Sequence, residues 1–132
     1  MYLLDTNVCI RFLRNAHPRV MQRMAQTPYS DIALCAIVKA ELYYGAERSA
    51  EPAHALEVLT AFTSHFVSLP FDDYAAVHYG RIRANLAQRG LLIGPNDMLI
   101  AAIALANQAI LVTHNTREFS RVPNLHIEDW EA

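Results

Sequence analysis

Residues 2–13, Tyr2-Leu3-Leu4-Asp5-Thr6-Asn7-Val8-Cys9-Ile10-Arg11-Phe12-Leu13, change character at a single position. Tyr2 to Leu4 read as a short buried strand, and Thr6 to Leu13 as a helix with Cys9, Ile10 and Leu13 inward, so the chain switches from strand to helix at Asp5. The same alternation recurs downstream. Pro18 opens a second helix to about Ala25, and Thr27, Pro28 and Ser30 mark a loop. Ile32 to Leu34 form the next strand candidate, followed by a helix over Ala36 to Gly45. A helix over Glu51 to Ser64 leads to a strand at Phe66 to Leu69. Pro70 with Asp72 or Asp73 starts a long helix that ends before Gly90, with Phe71, Ala75, His78, Ile82 and Leu86 as its stripe. Gly94-Pro95-Asn96-Asp97 opens a helix whose body, Met98 to Ala106, is apolar on every side, as expected at the centre of a domain. Ile110 to Thr113 is a strand, and Ile127 begins a last one. Helices separating short apolar strands, with no hairpin signal, predict an α/β fold with a parallel sheet covered on both faces. Ligand sites in such sheets lie beyond the carboxyl ends of the strands, where Asp5 and the Thr113 to Glu118 segment fall.

The chain of 132 residues fits one domain, taken as residues 1–132, and shows neither linkers nor repeats. A hydrophobic fraction of 53% with 18% charged residues describes a packed globular protein rather than a disordered one. Its net charge of −2 provides no global electrostatic footprint for nucleic acid. The cations are nevertheless nearly all Arg, with Lys39 the only lysine, and Arg suits bidentate phosphate contact. Cys9 and Cys35 are too few and too distant for a disulfide framework or a zinc motif, and the reduced, cytoplasmic setting is the simplest reading. The first residues lack a basic segment of the signal-peptide type, and the run from Met98 to Ala106 is far below the roughly 20 apolar residues of a membrane span, so no membrane role is expected.

Four acids stand beside apolar or small-residue stretches: Asp5, Glu41, Asp97 and Glu118. The helical neighbours of Glu41, at three and four positions away, are Ile37, Val38, Tyr44 and Gly45, and none is cationic. Ile37, Glu41 and Tyr44 share one face of their helix, which places a carboxylate among apolar side chains. Neither capping nor a local ion pair accounts for Glu41; a rim position or a distant Arg would. Asp5 is open to two readings, as N-cap of the first helix or as a functional acid. Asp97 is explained by the macrodipole of a first helical turn, a role compatible with facing a crevice. Glu118 has Arg117 and Arg121 beside it for a surface pair, and Asn115 is an equally polar candidate. His114 stands alone near this segment, and the other histidines show no pattern. There is no G-x-S-x-G nucleophile motif and no phosphate-binding glycine loop.

The sequence Leu3-Leu4-Asp5-Thr6-Asn7, Ala40-Glu41-Leu42-Tyr43-Tyr44-Gly45, Gly94-Pro95-Asn96-Asp97 and Val112-Thr113-His114-Asn115-Thr116-Arg117-Glu118-Phe119 resembles, in order and spacing, the PIN-domain ribonucleases. It is most similar to the VapC toxins of VapBC toxin-antitoxin pairs, over Tyr2 to Trp130. The resemblance implies a three-layer α/β/α sandwich with a central parallel sheet and a metal-dependent endoribonuclease. Asp5, Glu41 and Asp97 fall on the family's main metal-site acids, and Glu118 on the fourth of members with a T-x-N-T-R-E-F segment; others carry an Asp nearer Asn115. Mg²⁺, with Mn²⁺ able to substitute, is the implied cofactor, suited by hard oxygen ligands. Thr6, Thr113 and Asn115 are implied supporting residues. Many members carry hydroxyl residues where this chain has Cys35 and Val38, which removes any hydrogen bond from those positions. Structured RNA such as tRNA is the implied substrate, gripped through Arg11, Arg14, Arg83 and Arg117. The implied partners are a VapB-type antitoxin entering a groove beside the site, a second copy in a homodimer, and a larger complex that meets DNA only through the antitoxin. An inactive PIN-like module that binds RNA or protein is the alternative.

Overall fold

The computed structural model describes residues 1–132 and contains five strands and seven α-helices. Strand β1 is Tyr2–Leu4, β2 Ile32–Cys35, β3 Val67–Leu69, β4 Ile110–Val112 and β5 Ile127–Glu128. The helices are α1 Thr6–Leu13, α2 Pro18–Gln26, α3 Ala36–Glu47, α4 Pro52–Thr63, α5 Asp73–Gln88, α6 Pro95–Ala106 and α7 Thr116–Phe119. All pairings are parallel, in the order β3-β2-β1-β4-β5, and helices cover both faces as expected. The sheet grows from β1 in two directions, with Tyr2 paired to Ile32 on one side and to Ile110 on the other. That divergence creates a crevice at the carboxyl ends of β1 and β4, the position at which open α/β sheets bind ligands.

Residues that read as strands in the sequence form the centre. Leu3, Leu4, Ile32, Ala33, Leu34, Leu111 and Val112 are fully buried, as in a sheet covered on both faces. Helix α6 is buried over Met98 and Ile100 to Ala104, in agreement with its uniformly apolar sequence. Its run of small residues lets α5 and α3 approach closely. Gly90 ends α5 with φ 65°, a left-handed conformation that costs glycine nothing. No helix is long and apolar enough to cross a membrane.

Three local expectations need correction. Helix α3 runs two residues past Gly45, and its inward face is Val38, Leu42 and Ala46. Glu41 therefore sits at the edge of the buried stripe instead of on it, and Tyr44 is 62% exposed. The third strand begins at Val67, not Phe66, and as an edge strand it leaves Val67 and Ser68 exposed. The loop after α2 contains a 3₁₀ turn at Tyr29–Asp31, and the short α7 follows β4 where the sequence showed only a polar segment. The C-terminal segment is held by Trp130, which is 2% exposed, packs edge-on to Tyr2 at 5.4 Å and lies under the Arg23 guanidinium at 4.9 Å. This anchoring brings Asp129 and Glu131 back towards α1.

Candidate metal centre

The end of β1 fixes Asp5 from both sides. Its backbone N–H donates to Val112 O on β4 at 3.0 Å, and its Oδ1 accepts the Val8 N–H at 3.0 Å, capping α1. Capping and placement in the crevice are thus the same geometry, and Asp5 is only 7% exposed. Burial lifts its pKa above the ordinary carboxylate value. Hydrogen bonds from Thr113 and Val8 oppose that lift, and the nearby charges of Glu41 and Glu131 add to it.

Thr6 Oγ1, in the first turn of α1, donates to Glu41 Oε1 at 2.6 Å and so ties α3 to the end of β1. Asp97 stands in the first turn of α6, where Gly94 occupies the N-cap without a side-chain hydrogen bond. Its pKa is pushed up to about 6, first by burial and then by the charges of Glu41, Asp5 and Glu118. A cavity of about 110 Å³ lies between these elements, lined by Asp5, Thr6, Asn7, Glu41, Asp97, Asn115 and Phe119. Carboxylates from β1, α3 and α6 thus converge on one small polar space.

Every ion pair of the chain uses Glu128, Asp129 or Glu131, so no Arg, Lys or His neutralises the cavity acids. Several carboxylates facing each other without a cation, in partly desolvated surroundings, are unfavourable unless protonated or bound to a metal. An all-oxygen donor set of carboxylates and an amide matches the preference of Mg²⁺ and Mn²⁺.

Glu118 does not line the cavity. Asn115 does, and its Nδ2 donates to Glu118 Oε2 at 2.9 Å. The amide faces the cavity while the carboxylate holds it, although Glu118 is near enough for its charge to reach Asp97. Thr113, fully buried, accepts the Asn115 N–H at 3.0 Å and hydrogen-bonds the Asp5 carboxylate. Cys35 and Val38 are both buried and apolar in effect, and Cys35 gives α3 no side-chain cap. Asn7 was missed in the sequence; its only signal was its place two residues after Asp5 in the first turn of α1.

A second acidic cluster lies at the C-terminus. His114 Nδ1 is 3.0 Å from Asp129 Oδ2 and 3.8 Å from Glu131 Oε2, and potential ligand atoms of the three residues lie within 4.8 Å of one another. His114 is therefore not the lone histidine that its sequence position suggested. Its partners lie 15 and 17 positions away, beyond β5, where no local pattern could reveal them. Arg11 Nε at 3.1 Å and His17 Nε2 at 3.6 Å also face Glu131, and the Glu131 N–H donates to Asp129 Oδ1 at 2.9 Å.

Beside the cavity, Glu41 also forms one end of a groove of about 450 Å³ between α1, α3 and α4. Its floor is apolar, with Ile10, Leu13, Leu42, Ala46, Val58 and Leu59, and Arg14, Arg48 and His54 stand on its walls. Of the Arg residues expected to grip RNA, Arg14 lines this groove, while Arg11 is engaged by Glu131 and Arg83 donates to Tyr79 Oη at 3.0 Å.

A five-stranded parallel sheet with acids gathered at its diverging carboxyl edge is the architecture of a PIN domain, and the PIN-domain family model matches residues 2–125. The tRNA(fMet)-specific endonuclease VapC of Salmonella typhimurium is 40% identical over 129 residues, covering 98% of this chain and 97% of its own. Ribonuclease VapC2 of Rickettsia felis is 39% identical over 135 residues, covering 99% and 98%. The crystal structure of VapBC2 from Rickettsia felis bound to a DNA fragment from its promoter superposes with a TM-score of 0.90 at 37% identity, over 98% of both chains. The chain belongs to the PIN-domain family and, within it, to the VapC ribonucleases.

Proposed function

We propose that this chain, a single PIN domain over residues 1–132, is a metal-dependent endoribonuclease and the toxin of a toxin-antitoxin pair, hydrolysing structured RNA such as tRNA in the cytoplasm and thereby inhibiting translation. The observation that carries the reading is the convergence of Asp5, Glu41 and Asp97 on one cavity without a protein cation. Asp5, Glu41 and Asp97 would hold Mg²⁺ or Mn²⁺. Asn115 faces the same space, and Glu118 holds the Asn115 amide and adds its charge beside Asp97, so it would support a bound ion from behind. A bound ion of this kind lowers the pKa of a water and offsets the charge that develops on the phosphate during in-line displacement. Hydrolysis leaves a 5′-phosphate and a 3′-hydroxyl.

The protein's part is positioning. Thr6 fixes the Glu41 carboxylate, Thr113 fixes Asp5, and the Asp5 cap to Val8 locks the strand end to the helix. Such supporting hydrogen bonds orient ligands and typically matter by about 10–100-fold in metal affinity or activity. The name of the Salmonella relative supports a tRNA substrate, and the DNA-bound VapBC complexes of related chains support a VapB-type antitoxin and a larger promoter-bound assembly; a toxin homodimer belongs to the same proposal. The apolar floor beside Glu41 suits an antitoxin segment whose apolar side chains fill the groove and whose bulk closes the cavity to RNA.

The test is cleavage of a mixed tRNA pool with Mn²⁺, comparing the wild type with Asp5→Asn, Glu41→Gln and Asp97→Asn, together with calorimetric titration of Mn²⁺ into each. The reading requires cleavage by the wild type that EDTA abolishes, and lost Mn²⁺ binding in the variants. Cleavage by folded Asp97→Asn at the wild-type rate would refute it.

A further inference from the structure

Tyr44 occupies a position that the metal chemistry does not use. It follows Glu41 by three residues on α3, so the two side chains are neighbours on the helix surface about one turn apart. A large aromatic ring that is 62% exposed here is held in place instead of left free. The Arg48 guanidinium, one turn further along, lies 4.8 Å from its centroid and covers one face. Gly45, between them, adds no side chain, and a Cβ there would meet nothing within 4 Å. Arg48 and Arg14 face the groove that Glu41 closes, and neither is paired with a carboxylate. Beside the cavity the order along the surface is thus carboxylate, exposed ring and free cations.

We propose that Tyr44 and Arg48 form a subsite for an unpaired nucleotide next to the scissile phosphate, the base stacking on the Tyr44 ring and the adjoining phosphate meeting Arg48. The proposal rests on the ribonuclease reading above and adds which side chains of this chain would meet the nucleotide beside the cleaved bond: the Tyr44 ring for its base and Arg48 for its phosphate. The physical basis is that unstacked bases are recognised by aromatic faces and guanidinium planes, while a paired base offers neither face. Stacking on one aromatic residue contributes about 1–3 kcal/mol per base, or roughly 5–150-fold in affinity.

The probe is a hairpin RNA with 2-aminopurine in its loop, alongside a fully paired duplex of the same composition, titrated with the full chain carrying Asp97→Asn so that binding is read without cleavage. The expected result is fluorescence quenching with the hairpin, and a loss of about 5–150-fold in hairpin affinity on adding Tyr44→Ala, with duplex binding unchanged. Tyr44→Phe, which keeps the ring, retains the affinity. Arg48→Ala lowers the salt dependence of hairpin binding by about one phosphate contact. Equal hairpin affinity with and without Tyr44→Ala, in a protein whose Asp97 form cleaves RNA, would overturn the subsite and leave the nuclease reading intact. So would an equal loss on hairpin and duplex, or a loss of antitoxin binding alone. A wild type that cleaves no RNA would remove both.

Discussion

The acids at the strand ends and those at the C-terminus lie within electrostatic reach of each other, since the charges of both Glu41 and Glu131 act on Asp5. They are treated in opposite ways. Glu131 and Asp129 are met by Arg11, His17 and His114, and the Glu131 backbone N–H satisfies Asp129. Asp5 receives hydroxyl and backbone hydrogen bonds and Glu41 a hydroxyl bond, but neither of them nor Asp97 meets a cation. The geometric grouping of ligand atoms is tighter at the C-terminus. What separates the two regions is the placement of basic side chains: each C-terminal carboxylate has one beside it, whereas none reaches the cavity acids.

The largest way to break this contrast is to remove one cavity acid. Asp97→Asn is expected to lower cleavage by more than the roughly 10–100-fold that supporting residues cost, while leaving the apo fold intact, since it relieves repulsion among Glu41, Asp5 and Glu118. Cleavage assays paired with thermal melts in EDTA check both halves. Metal then sharpens the contrast. Mn²⁺ at 100 times its Kd should stabilise the wild type by about 2.7 kcal/mol, and the effect should vanish in Asp97→Asn but persist in Glu131→Gln. A metal-dependent melting shift lost only in Glu131→Gln would transfer the ion to the C-terminal cluster.

The pH dependence comes next. The Asp97 pKa is raised from 3.8 to about 6, so in the apo protein the folded state binds a proton that the unfolded chain has released across that window. The contribution is fully present below pH 3.8 and is lost as the pH rises through about 6. Asp97 is partly open to solvent, which reduces the effect to roughly 1–2 kcal/mol after screening. Denaturation midpoints in EDTA should therefore fall more steeply between these values for the wild type than for Asp97→Asn. Parallel profiles would show that the cavity carboxylate is solvated like an ordinary surface acid.

Much of the sheet and its crevice was legible because short apolar strands and the Asp5 switch are local signals. The helix over Met98 to Ala106 was equally plain, since only a central helix can be apolar all round. Glu41 was singled out for a reason the structure changes: it was read on a face with Ile37 and Tyr44, but the buried stripe is Val38, Leu42 and Ala46. A helical wheel gives relative faces and not which of two apolar stripes meets the core. Glu118 was preferred to Asn115 because a carboxylate binds a divalent cation more strongly than an amide, yet Asn115 lines the cavity and Glu118 accepts its amide hydrogen bond, a division that two polar residues three positions apart do not reveal in sequence. The Arg48 contribution to the groove was invisible, because it depends on α1 and α4 closing around α3.

The smallest effect belongs to the C-terminal cluster with its basic partners. Glu131→Gln removes the partner of Arg11 and His17 while keeping a polar side chain of the same shape, and Arg11 is 44% exposed in its side chain. Glu131 itself is only 8% exposed, but Arg11 is open to solvent, so the loss should lie near about 1 kcal/mol, the upper end for such pairs, with a modest fall in melting temperature. The same change removes a negative charge that helps raise the pKa of Asp5. Cleavage should therefore survive, with its pH profile displaced, if at all, to lower pH, because Asp5 then releases its proton more readily. A large loss of cleavage in a Glu131→Gln protein that still binds Mn²⁺ would mean that the C-terminal cluster takes part in the reaction, and the division between the two acidic regions would fail.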